Sequence, residues 1–253
     1  METTAPPQVT TIADEPSLSL GSRFLAMFAR PARAWAGLER KGQWWFPLLI
    51  SVVVTMSGMA LTYQRAVVPM TLERMQRQVD SGQVPPGSVA HFEQQMRSPV
   101  ATAMNVGSAI IIIPLVTLAT ALLPWLAAGF LLGHKFRYRD AFVVTSWAGV
   151  VALPAQILSY ALAWINGTMA NLHVGFGILL PVEETPSKLM TGLGAFLDQG
   201  IGPFSIWYVA VMALGAAALS GAPPRRVLTT LGILWVVVWI IFAALAALFT
   251  PGV

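Results

Sequence analysis

The sequence predicts an all-α fold: a polytopic membrane bundle of about five transmembrane helices, entered through an N-terminal amphipathic helix at the membrane interface. Three observations predict it. Hydrophobic residues make up 56% of the 253 and charged residues only 10%, whereas a soluble domain carries about 25% charged residues. Uncharged runs near 44–63, 106–133, 141–165, 203–221 and 227–249 each reach the roughly 20 residues a helix needs to cross a core of about 30 Å. Basic residues collect in the short connections between those runs.

Residues 1–21 read as a disordered cytoplasmic tail. Met1 to Leu20 holds Glu2, Asp14 and Glu15 and no Lys or Arg, so it lacks the basic start of a signal peptide. It does not begin Met-Gly, which speaks against N-myristoylation.

Residues 22–43 read as the interfacial helix. On a wheel of about 100° per residue, Phe24, Met27, Phe28, Pro31, Trp35 and Leu38 share one side, and Arg23, Arg30, Arg33, Arg40 and Lys41 the other. An aromatic face opposite an Arg/Lys face is the pattern of a helix lying in the membrane plane. Each basic residue near an anionic leaflet contributes about 1 kcal/mol. Pro31 is disruptive inside a helix but accepted at its first position, so it is predicted to start a second segment. Gly42 then breaks the helix, and Trp44 and Trp45 mark the interface before the first span. Basic residues interleaved with tryptophan also suit nucleic acid. The stretch matches no recognition module and runs directly into the bilayer, so the sequence predicts lipid and no nucleic acid.

Residues 44–253 form the five-span membrane domain. With the N-terminus in the cytoplasm, the inside segments hold 10 of the 15 basic residues, among them Lys135, Arg137, Arg139, Arg225 and Arg226. The outside segments hold Arg65, Arg74, Arg77, Arg97 and Lys188. The positive-inside rule favours that orientation, which leaves the C-terminus external. Two outside segments are long. In the first, Val68, Leu72, Met75 and Val79 recur at helical spacing, which suits either a helix resting on the outer leaflet or a solvated helical hairpin. In the second, "NLHVGFGILLP", Asn171 to Pro181, is too short to cross and reads as interfacial or re-entrant.

The sequence carries no legible catalytic set. Buried ionisable groups mark transport and catalytic sites in membranes, and the five uncharged runs contain no Asp, Glu, Lys, Arg or His. His91, His134 and His173 lie in three different loops without metal-ligand spacing, so each reads as solvated or interfacial. No cysteine is present. "EETPSK", Glu183 to Lys188, superficially resembles the motif of CAAX-type intramembrane proteases, but no histidine follows it. "ALSG", Ala218 to Gly221, resembles the rhomboid serine motif and likewise lacks a downstream base. "NGT" at Asn166 fits a glycosylation sequon that arises often by chance. The predicted catalytic, cofactor and metal residues are therefore none.

What the spans offer is shape. Gly129 and Gly133 form a Gly-x-x-x-Gly pair, and "ALGAAALSG" gives span four a small-residue face with Gly215 and Gly221. Such faces serve packing within the bundle first, and docking of a partner or second copy next. Pro114, Pro124 and Pro154 are expected to kink their helices. Asn105 and Gln156 are placed to bond across helices.

The chain resembles the bacterial branch of the Yip1 domain family. The resemblance rests on "RFLAMFARPARAWAGL" followed by "WWFPLLI", on "GHKFRYRDAFVVTSWAGVVALPAQIL", and on "FSIWYVAVMALGAAALSG", in that order. It covers roughly Arg23 to Phe249. It implies a five-span membrane protein with a cytoplasmic N-terminus and no catalytic residues to carry over, since eukaryotic relatives are non-enzymatic partners of small GTPases in vesicle traffic.

Two functions follow. One is a non-enzymatic protein of the bacterial cytoplasmic membrane that organises or assists another membrane component, such as an export or trafficking complex, or a second copy of itself. The other is a small permease or channel for neutral or apolar solutes, suggested by the prolines and by Asn105, Ser108, Thr117, Thr120 and Gln156.

Overall fold

The computed structural model describes residues 18–38, 42–85, 87–170, 172–181 and 187–249. The first 17 residues, Arg40, Lys41 and the Glu183–Glu184 motif fall outside them. The described residues form helices and turns, with no strand among them. Five helical stretches are long and apolar enough to cross a membrane, matching the five uncharged runs.

Two short helices come first, α1 (Leu20–Ala29) and α2 (Pro31–Ala34). Span one opens with α3 (Trp45–Thr62) and runs through a π-turn at Tyr63–Val67 into α4 (Val68–Asp80) without a break. The wide turn precedes Pro69, whose ring would otherwise press on the carbonyl four residues back. The whole rod has 36 residues, about 54 Å at 1.5 Å per residue. It therefore outreaches a core of about 30 Å. α5 (Ser88–Met96) folds back against α4. This is the helical hairpin, with Leu72, Met75, Val79, Val89 and Phe92 half-buried.

Span two joins α6 (Pro99–Gly107) to α7 (Ala109–Pro124) and ends in a π-turn, Trp125–Leu131. Span three is α8 (Tyr138–Ala148), a 3₁₀ turn (Gly149–Ala152) and α9 (Leu153–Asn166). After a 3₁₀ turn at Phe176–Leu179 comes α10 (Lys188–Ala195), which continues as a π-turn, Phe196–Gly200. Spans four and five are α11 (Pro203–Ser220) and α12 (Pro224–Phe249). The segment before α10 is not among the five stretches long and apolar enough to cross. Its 3₁₀ turn packs beside α10 and the π-turn after it.

Span three is the axis. α8 packs between α7 and α11, and α9 packs on α3. It is the most buried span. The core gathers Val143, Val144, Trp147 and Val150 with Val211, Met212 and Ala216 of α11. Because the spans alternate in direction, the helix pair α1–α2 and both short connections share one end, called here the basic end. The α4–α5 hairpin lies at the other.

Spans one and three are joined by a polar clasp and a steric one. Gln156 Nε2 donates to Thr55 Oγ1 at 2.8 Å. At Gly58, a Cβ would sit 2.0 Å from the Tyr160 ring, so only glycine lets α3 and α9 approach this closely. Gly58→Val is therefore expected to destabilise the bundle by about 1–3 kcal/mol through overpacking. Adding Tyr160→Ala is expected to recover part of that loss. Thermal unfolding in detergent checks both.

Candidate functional site at the basic end

Ser19 caps α1, its Oγ accepting from the Ser22 N–H at 3.2 Å. α1 stops at Arg30, and Pro31 starts α2 at the helix position that needs no N–H donor. The chain then turns through Gly37, whose φ of 70° favours glycine. That leaves carbonyls at the end of α2 without helical partners. Arg23 supplies them. Its Nη1 donates to the Ala34 carbonyl, and its Nη2 donates to the Ala36 carbonyl at 3.0 Å. Its guanidinium carbon lies 5.7 Å from the Trp147 ring centroid, within cation–π range.

Arg23 thus departs from the expected headgroup-facing position, because it is fully buried. A wheel drawn for one helix does not show that α2 folds back over α1 and offers carbonyls to α1's basic side. Burial pushes its pKa down, and the guanidinium remains charged all the same. Trp35 is also buried, with its ring against α11, where a Cβ on Gly215 would come within 2.7 Å of it. Met27 and Leu38 enter the same core. The segment is a wedge seated in protein, with Leu25 and Phe28 left exposed.

Trp44 and Trp45 stay exposed at the entry to span one. The Trp44 ring lies 5.5 Å from Phe142. Arg30, Arg33, Lys135, Arg137, Arg139, Arg225 and Arg226 are exposed at this end. Arg139 reaches back so that its Nη2 is 3.1 Å from where a Cβ on Gly42 would be. Together they form a basic rim around a protein-seated wedge, suited to anionic head groups or an acidic protein surface.

The other predicted residues have separate roles. Of the four glycines, Gly215 makes the close approach just described. Gly133 and Gly221 instead end their helices at φ of 70°, with open space where a Cβ would go. Gly129 lies against the Phe136 carbonyl of the following loop, 3.2 Å from its Cβ position. Pro114 lies within α7, and Pro124 ends it where the π-turn begins. Pro154 follows the 3₁₀ turn in span three. Asn105 donates to the Tyr63 hydroxyl at 3.2 Å, and Thr117 and Ser108 bond to carbonyls of their own helices. Asn105 thus ties span two to span one, as Gln156 ties span three to it, while Thr117 and Ser108 bond within span two.

One polar cluster was not read from the sequence. Asp198, in the π-turn after α10, contacts His173 Nδ1 at 2.6 Å and accepts from the N–H groups of Gly175 and Gly177 at 3.0 and 2.9 Å. A carboxylate with a histidine 25 residues away gives no local signal. The glycine spacing Gly175-x-Gly177 is the one trace of it, since a Cβ at either would strike Asp198.

A family model, the Yip1 domain, matches residues 25–246. The chain belongs to the Yip1 domain family. No curated protein and no solved structure matches it. The Yip1 match begins inside α1, two residues after Arg23, and ends in α12, so α2, the second half of α1 and the five candidate spans fall within it.

Arg23→Ala strands two buried carbonyls. It is expected to cost about 1–3 kcal/mol and to speed proteolysis between α1 and span one. Arg23→Lys is expected to rescue little, because a single ammonium lacks the guanidinium fork.

Proposed function

We propose that this Yip1 protein is a non-enzymatic organiser of the bacterial cytoplasmic membrane that holds another membrane component at its basic end. The observation that carries the reading is the wedge with its rim. α1 and α2 are tied together by Arg23 and anchored on α11 by the Trp35–Gly215 contact, while Arg30, Arg137, Arg225 and Arg226 stay exposed around them. Anchored presentation of charge suits recognition, because less ordering entropy is lost on binding. The polar side chains within the spans support the same reading, since those with bonds are committed to neighbouring helices and carbonyls.

Purification in mild detergent tests it. A membrane protein or a second copy is expected to be recovered with the wild type and lost from an Arg30→Gln/Arg225→Gln/Arg226→Gln variant that still inserts. Repeated recovery as a lone chain sinks the proposal.

The basic end is proposed to face the cytoplasm, as the 10-to-5 distribution of basic residues suggests. A reporter fused after Val253 is expected to read external, and one between His134 and Asp140 cytoplasmic. The opposite pattern would invert the topology.

A further inference from the structure

At the hairpin end, α10 and α12 enclose an open groove of about 260 Å³. Gly192, Leu193 and Phe196 line one side, and Ile240, Ala243 and Ala244 the other. The groove exists because the helices touch backbone to backbone at its floor. A Cβ on Gly192 would sit 2.7 Å from the Ala243 carbonyl oxygen. Small side chains there leave depth, and Leu193, Phe196 and Ile240 raise the walls.

We infer that this groove seats one acyl chain of a membrane lipid from the leaflet at the hairpin end. Depth is the first argument. Ile240 to Ala244 stand 16 to 20 residues beyond Pro224, roughly 24–30 Å along the helix. They therefore lie in the far leaflet of a core about 30 Å thick. The surroundings are the second. Ile240, Ile241, Phe242 and Leu245 are exposed along α12, as is Leu189 on α10, so the groove opens onto a lipid-facing flank. Chemistry is the third. The lining carries no charged or hydrogen-bonding side chain, so a polar solute would be left unpaired. Size is the fourth. The space is open and falls below the roughly 300–1,000 Å³ of pockets for drug-sized ligands, which suits a single flexible chain. Beside it, the Phe176–Leu179 turn presents exposed Phe176, Ile178 and Leu179. Asp198 holds that turn in place through Gly175 and Gly177, extending the apolar surface next to the groove.

The test uses the full chain in phosphatidylcholine vesicles containing a trace of phosphatidylcholine with a diazirine on one acyl chain. After illumination, labelled residues are mapped by mass spectrometry. Leu193 and Ile240 are expected to label several-fold more than Ile111 and Leu115, which are exposed on span two outside the groove. Ala244→Trp is expected to fill the groove and bring Leu193 labelling down to the Ile111 level. Leu193→Trp, read at Ile240, serves the same purpose if Ala244→Trp fails to insert. Equal labelling at all four positions overturns the inference, as does labelling that neither variant lowers. Cross-links joining two copies across the groove overturn it too, by assigning the seat to a second chain.

Discussion

Hydrocarbon offers the peptide backbone no hydrogen-bond partner, and most of this structure answers that constraint. Each departure from regular helix is closed locally. The 3₁₀ turn in span three and the π-turns of spans one and two keep the backbone bonded while changing its pitch. Hydroxyls inside the spans turn back to their own helices, as Ser51 does to the Pro47 carbonyl at 2.9 Å and Thr62 to the Gly58 carbonyl at 2.8 Å. Where a helix ends short of its neighbours, a side chain from elsewhere completes it. Arg23 does this for α2, and Asp198 does it for the two glycine N–H groups of the apolar turn. These two charged side chains therefore have one job, although they stand at opposite ends of the bundle.

That shared logic explains why the bundle uses its few polar residues so sparingly. Gln156 and Thr55 pair with each other across spans one and three, and Tyr63 gathers Asn105 beside the Met96 carbonyl. A polar group facing lipid would be costly. A polar group facing a neighbouring helix fixes which neighbour it is. Specific association of spans one, two and three thus comes from a handful of bonds, with glycine contacts such as Gly58 on Tyr160 setting the distance.

The spans were legible because a bilayer imposes one length scale, and a charge-free run of about 20 residues seldom serves any purpose but crossing it. The break at Pro31 and the entry at Trp44 and Trp45 were legible for similarly local reasons. Arg23 was not, because its environment is made by a segment that begins eight residues later and folds back over it. The roles of Gly133 and Gly221 were hidden by a shared spelling. A glycine that ends a helix and a glycine that admits a neighbour look alike until φ is known. The length of span one was masked by charge. Glu73, Arg74 and Arg77 end the hydrophobic signal but not the helix, since nothing between Gln64 and Asp80 stops it once the π-turn has made room for Pro69. The His173–Asp198 cluster is long-range and left only its glycines as a trace.

The unbroken rod of span one has a mechanical meaning. Its 36 residues are more than a core of about 30 Å requires, and its first half is gripped by Tyr160 at Gly58 and by Gln156 at Thr55. Tyr63 and Gln64 brace it where it leaves the grip, against Met96 and Thr102. A stiff beam gripped at several points along one half is a post. Its basic-end terminus is seated as well, with the Trp44 ring 5.5 Å from Phe142 and the Phe46 ring 5.9 Å from Trp147. The hairpin and the basic rim therefore hang on one structural member, a single unbroken helix of 36 residues.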